Sequence, residues 1–258
     1  MEKGAMIGLI VTLIGIFVSA IMHGIDPVFL FMEFGSIIVV ILGCFGATIS
    51  SFPFEATQNI GKVIGKAVKQ GEVHSAKETI DLIVDMTNRA RAEGLLALEE
   101  ASKKIEEPFL KKGIQLAVDG TDADALKKTL NAEIHAMKER HKVGAAWLEK
   151  AGIYAPTFGI IGAVFGLIAT MSKLSEPDLV GEGIAGAFVA TFWGVFLANG
   201  IFLPWSNKLK KISGDEVAHM QLVVEGIMGI QSGTSPRIVE EILSSHIPPS
   251  ERVEKKAA

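Results

Sequence analysis

Charge is missing where this chain is most apolar. Four long segments, Ala5–Met22, Phe34–Phe54, Ala151–Met171 and Ile184–Trp205, contain no Asp, Glu, Lys, Arg or His. Each is long enough to cross about 30 Å of hydrocarbon as a helix, so the chain reads as an integral membrane protein. The same absence excludes a proton or ion relay built from this chain alone, because no carboxylate lies at bilayer depth. If the protein conducts, a partner brings the acid. Cysteine is nearly absent too. Cys44 is the only one, which excludes an intrachain disulfide, and its mid-segment place reads as a buried, inert thiol. The six histidines form no ligand pattern: His135 and His141 are six apart and do not share a helix face. There is no glycine-rich phosphate loop and no nucleophile motif, so an enzyme is not expected, and no catalytic residue, cofactor or metal is assigned. A net charge of −4 gives no sign of nucleic-acid binding.

What is present is segregation. An apolar fraction of 49% is ordinary for soluble domains as well, but here the apolar residues are gathered into blocks with dense charge between them. The first block, with Lys3 before it and Val18-Ser19-Ala20 near its end, has the outline of a secretory signal. It is longer than a usual signal core, and a retained spanning helix is expected. The blocks come in two pairs. The joints within the pairs, His23–Glu33 and Ser172–Gly183, hold one basic residue, Lys173, against five acids: Asp26, Glu33, Glu176, Asp178 and Glu182. Between the pairs, residues 55–150 carry sixteen Lys and Arg, and Lys208, Lys210 and Lys211 follow the last block. Basic residues favour the cytoplasmic side, and those next to the membrane, such as Lys62, Lys66 and Lys150, weigh most. Both termini and the large loop are therefore expected in the cytoplasm, with the short joints outside.

The expected fold class is all-α: a polytopic membrane protein with four transmembrane helices and a helical cytoplasmic domain. Its expected parts are spans one and two at 1–54, a cytoplasmic loop at 55–150, spans three and four at 151–205, and C-terminal helices with a disordered tail at 206–258. Within the loop, Ile60, Val63, Ile64, Ala67 and Val68 recur at helical spacing, as do Ile80, Ile83, Val84 and Met86. Gly71 and Pro108 read as breaks and Asp119-Gly120 as a turn. Thr121 with Asp124 resembles a capping box, and the helix after it is expected to run to about Lys150. Ser206 to about Gln231 keeps helical register, Ser235-Pro236 is a helix start, and Pro248-Pro249 opens the tail. No alternating run predicts a strand.

Glycine marks the apolar blocks, with Gly162-x-x-x-Gly166 in the third and Gly186, Gly194 and Gly200 in the fourth. Small residues let helices approach closely, either within one chain or against a neighbouring subunit. Thr170 and Thr191 are the hydroxyls of interest: each bonds a backbone carbonyl one turn back, or meets a carboxylate or hydrated ion. Thr191, deep in the fourth block, is the better candidate for the second role. Pro156 and Pro204, near the cytoplasmic ends of blocks three and four, read as boundary kinks or as hinges. The stretch Asn88–Glu107 is dense in charge, with Arg89, Arg91, Glu99 and Glu100. On a helix, Glu99 pairs with Lys103 and Glu100 with Lys104. The whole is either a solvated helix or an electrostatic docking surface.

Three stretches carry a family resemblance over nearly the whole chain. These are Arg91-Ala-Glu-Gly-Leu-Leu-Ala-Leu-Glu99 in the loop, Tyr154-Ala-Pro156-Thr-Phe-Gly-Ile-Ile-Gly162-Ala163-Val-Phe-Gly166 in block three, and Ile184-Ala-Gly-Ala-Phe-Val-Ala-Thr191-Phe-Trp-Gly194 through Asn199 and Pro204 in block four. With the two-and-two spans they resemble the MotA family of bacterial flagellar motor stator subunits. The resemblance implies a homo-oligomer, a pentamer in that family, around a MotB-type peptidoglycan-binding subunit that supplies the ion-carrying aspartate. It implies residence in the bacterial inner membrane, with the loop pushing on the rotor protein FliG. By position, Arg89, Arg91, Glu99 and Glu100 would face the rotor, Pro156 and Pro204 would couple conduction to loop motion, and Thr191 and Ala163 would line the ion path. Sodium-driven relatives of the PomA type carry threonine where this chain has Ala163, and alanine offers an ion no ligand, so protons are expected. The alternatives are a sodium-driven stator, an ExbB/TolQ-like energiser with three spans and no such charged loop, and a passive scaffold.

Overall fold

The computed structural model describes residues 3–68 and 75–247. Gly71 and the tail from Pro248 lie outside them. Every regular element among the described residues is helical. In chain order these are α1 (Lys3–Met22), α2 (Phe29–Met32), α3 (Phe34–Ser50), α4 (Phe54–Gln58), α5 (Ile60–Val68), α6 (Ala76–Glu93), α7 (Leu98–Lys103), α8 (Pro108–Val118), α9 (Ala123–Met171), α10 (Pro177–Phe196), α11 (Leu203–Gln231) and α12 (Pro236–Ser244). A 3-10 turn, Leu95–Ala97, precedes α7, and a π-helical stretch, Leu197–Phe202, joins α10 to α11. The chain is an all-α membrane protein. Helices containing Gly4–Met22, Ala123–Met171 and Leu179–Gln231 are long and apolar enough to cross a bilayer. The fourth apolar helix, α3, has 17 residues; at 1.5 Å per residue it is about 26 Å long, close to the thickness of the hydrocarbon. It ends at Ser50, short of Phe54, because Pro53 opens α4.

The chain divides into two compact units, residues 1–71 with 141–211, and residues 72–140 with 212–258. In the first, a core gathers around Trp147, Leu148, Ala151 and Ala155 of α9, Cys44 of α3, and Ala198 and Phe202 of the π stretch. Ile60, Val63 and Ile64 of α5 pack on it. Buried side chains also bond to backbone there: the Ser206 hydroxyl donates to the Ala145 carbonyl at 2.8 Å and the Cys44 thiol to the Ala151 carbonyl at 3.1 Å. Trp147 Nε1 donates to the Thr57 hydroxyl at 3.3 Å.

In the second unit, Ile83, Leu98, Leu110, Leu130, Ile227 and Leu243 are fully buried in one cluster. Burying each contributes about 1.5–3 kcal/mol relative to exposure. Its helix ends follow local chemistry. Ser75 caps α6 by accepting from the Glu78 amide at 3.4 Å. Pro108 and Pro236 open α8 and α12 at first-turn positions. Ser235 takes the cap place before α12 without a side-chain cap bond. Half-buried His219 of α11 meets Glu107, just ahead of α8, at 3.1 Å.

Three expectations are corrected. The cap of α9 is Asp122, not Thr121: its carboxylate accepts from the Asp124 and Ala125 amides at 3.1 and 3.3 Å. α9 does not stop near Lys150 but runs on to Met171, since no proline lies between Arg140 and Ala155 and the isolated Gly144 and Gly152 are tolerated within a helix. Finally, Asn88–Glu107 is not one helix. Gly94, at φ 86°, takes a conformation that favours glycine, ends α6 and starts a new element.

Candidate functional site

The third and fourth apolar blocks pack along a seam of small residues. A Cβ placed on Gly159 would lie 3.0 Å from the Ala190 carbonyl and 3.3 Å from the α carbons of Thr191 and Gly194. One on Gly194 would lie 2.7 Å from the Ala155 carbonyl and 3.0 Å from the Gly159 α carbon. One on Gly166 would meet the Gly183 carbonyl at 2.9 Å. Glycine is what lets the two backbones touch. The seam fixes Thr191 on α10 against Gly159 of α9, and Ala163 lies one helical turn further along α9 from that contact. Both are half-buried. The Thr191 hydroxyl donates to the Ala187 carbonyl at 3.2 Å, and that of buried Thr170 to the Gly166 carbonyl at 2.9 Å. Thr191 also lines an apolar cavity of about 380 Å³ with Thr12, Ile16, Phe188, Phe192 and Asn199.

Each proline interrupts the bonding of its own helix. Pro156 sits inside continuous α9 and has no amide hydrogen for the Gly152 carbonyl four residues back. Gly152 is pressed against Leu203, the residue before Pro204: a Cβ there would be 2.7 Å from Leu203 Cγ. The residue one turn before Pro156 thus touches the residue just before Pro204.

In the other unit, Arg89, Arg91, Glu99 and Glu100 are all exposed. Arg89 pairs with Asp85 at 2.9 Å and Glu99 with Lys103 at 3.9 Å. Lys104 falls at the C-cap, beyond the last residue of α7. Arg91 ends α6 and Glu99 begins α7, with the 3-10 turn between them. Leu98 is fully buried and anchors that turn, while Leu96 stands 73% exposed between the two charges. Sequence reasoning passed over Leu96, because Leu95-Leu96 reads as core until the Gly94 break turns one of them out. It also passed over a polar cleft of about 420 Å³ in the membrane unit, lined by Glu33, Ser36, Gly162, Gly166, Lys173 and Glu182 among others. The Ser36 hydroxyl there donates to the Gly186 carbonyl at 2.9 Å. The cluster of acids in the short joints was its only signal.

Comparison with known proteins agrees with this geometry. The sequence profile of the MotA/TolQ/ExbB proton channel family matches residues 101–222. Motility protein A of Bacillus subtilis is 33% identical over 98% of this chain and 93% of its own length. The solved structure described as that of C. jejuni MotAB superposes with a TM-score of 0.93 at 29% identity, covering 99% of this chain and 100% of that one. The flagellar MotAB stator complex of Bacillus subtilis gives 0.90 at 32% identity, with 99% and 100% covered. With apolar segments free of Asp, Glu, Lys, Arg and His, a glycine seam beside Thr191, and relatives matching it from end to end, the chain belongs to the MotA/TolQ/ExbB proton channel family as a MotA-type membrane subunit and not as an enzyme.

Proposed function

We propose that this chain is the stator subunit of a bacterial flagellar motor, which with a MotB-type partner conducts protons across the cytoplasmic membrane and converts that flow into torque. The carrying observation is a tight pair of apolar stretches, residues 151–171 and 184–205, with no acid of their own. α9 and α10 close on each other through glycine, yet Phe165, Ile168, Phe188 and Val195 stay exposed. Such faces suit further copies of this chain and the partner's helix, which supplies the missing aspartate. Thr191 and Ala163 face the ion path. Pro156 and Pro204, joined through Gly152 and Leu203, pass its motion to the cytoplasmic parts, 55–150 and 206–258. Arg91, Leu96 and Glu99, with Arg89 and Glu100 beside them, form the surface that engages the rotor protein FliG. Several copies, five in the family it resembles, surround the partner dimer. The end-to-end likeness to MotAB chains favours the stator over an ExbB/TolQ-like energiser.

The test is complementation. In a flagellated bacterium lacking both stator subunits, this chain and its partner together restore swimming, and neither does so alone. Restored swimming that depends on sodium rather than the proton gradient would refute the choice of ion. No swimming from a correctly inserted, partner-bound complex would refute the stator reading.

A further inference from the structure

We infer that Leu197–Phe202 is a register joint in the fourth span, with Asn199 as its positioning residue, an inference that rests on the stator reading above. The helix changes its bonding here. At the end of α10 the Leu197 amide is shared between the carbonyls of Trp193 and Gly194, four and three residues back. Six residues later the Leu203 amide donates to the Ala198 carbonyl, five residues back. Pro204 contributes, since it has no amide hydrogen to give the Gly200 carbonyl and the four-residue ladder is interrupted there, although Pro156 carries the same deficit without leaving plain α-helix. π-helical stretches are rare and gather at functional sites.

The stretch is held on one side and open on the other. Buried Ala198 and Phe202 belong to the core around Trp147, with Phe202 edge-on to Phe45 at 6.0 Å. On the other side Val195, Asn199 and Gly200 line the apolar cavity that also contains Thr191. Gly200 leaves room for the Phe196 ring, which a Cβ there would meet at 3.0 Å. Asn199 is exposed along this side, and its Nδ2 donates back to the Val195 carbonyl at 3.1 Å. In an apolar setting that bond is worth keeping, because it gives the side-chain amide a partner on the Val195 carbonyl. Exchange between five- and four-residue bonding changes the twist between α10 and α11. The cavity gives room for it. The joint lies two turns inward of Thr191 and directly before Pro204, between the proposed ion contact and the element that transmits torque.

The experiment compares Asn199→Thr with Asn199→Val in the full chain bound to its partner. The two side chains have nearly one shape, but only threonine donates to the carbonyl four residues back. Three quantities are read: proton flux in vesicles, stall torque in cells, and amide hydrogen exchange of residues 195–203. Asn199→Thr stays near the parent in all three. Asn199→Val keeps its flux within about twofold while stall torque falls, and exchange at 195–203 rises, each by roughly fivefold, the population effect of one net hydrogen bond. Parent-like torque and exchange in Asn199→Val overturns the joint. So do equal falls in flux and torque in both variants, or failure of both to assemble, which would make Asn199 a packing residue. A parent complex that conducts nothing, with exchange still faster in Asn199→Val, would instead fail the stator reading and leave the joint standing.

Discussion

Gly194→Ala probes the seam of α9 and α10 with one methyl group. The three heavy atoms nearest the new Cβ are the Ala155 carbonyl oxygen at 2.7 Å, the Gly159 α carbon at 3.0 Å and the Gly159 nitrogen at 3.2 Å. All are backbone, so no side chain can swing aside, and relief requires the helices themselves to part. Reaching an ordinary carbon–oxygen separation of about 3.3–3.6 Å means an opening of roughly 0.6–0.9 Å at this level. Forcing one extra carbon into a packed contact destabilises by about 1–3 kcal/mol. At roughly 2–4 °C per kcal/mol for a chain of this size, the partner-bound complex in detergent should melt several degrees lower. Because Thr191 and Ala163 ride on this seam, proton flux should fall as well. Gly15→Ala is the control. Nothing lies within 4 Å of a Cβ there, and alanine gains about 1 kcal/mol of helix propensity over glycine, so it should be neutral or slightly stabilising. Equal melting temperatures and equal flux in Gly194→Ala and the parent would refute a backbone-close seam.

Three more outcomes are expected. Reversing charge at Arg91 or Glu99 should impair swimming without changing membrane assembly, and a compensating change on the rotor should restore part of it; normal motility in the double reversal would remove the docking role. Ala163→Thr should fold, since its hydroxyl can bond its own helix, but should slow proton-driven swimming. Unchanged speed across sodium concentrations at normal expression would show that Ala163 does not face the path. Ser206→Ala removes the buried bond to Ala145 and leaves α helix bonding intact, so it should lower thermal stability by about 1 kcal/mol; no change would show that the contact contributes nothing.

Much of this was legible because it is composition. Segments with no charged residue and no histidine announce their setting, and the glycines of the third and fourth blocks announce close packing before any partner helix is known. Chemistry at helix ends was legible where one residue decides, as at Pro108 and Asp119-Gly120. Harder were features decided by several residues at once. Thr121 and Asp122 both offer a cap, and only backbone geometry shows that Asp122 takes it. Gly94 lies within a charge pattern that scans as continuous helix, so the turn that exposes Leu96 stayed hidden. The merging of the loop's last helix with the third span followed from an absence, since no residue between them stops a helix. The π stretch needs Pro204 read against the carbonyl four residues before it, and Pro156, with the same deficit, sits in plain α-helix. Proline alone therefore does not signal the difference.

The most direct test of the central claim is proton flux into vesicles holding this chain alone, set against vesicles that also hold a single-span partner bearing an aspartate. The chain alone should leak no more than empty vesicles, because its apolar segments carry no Asp, Glu, Lys, Arg or His and an unpaired charge in the bilayer is expensive; adding the partner should open a flux that replacing its aspartate by asparagine abolishes. Flux from the chain alone equal to that with the partner would contradict the account.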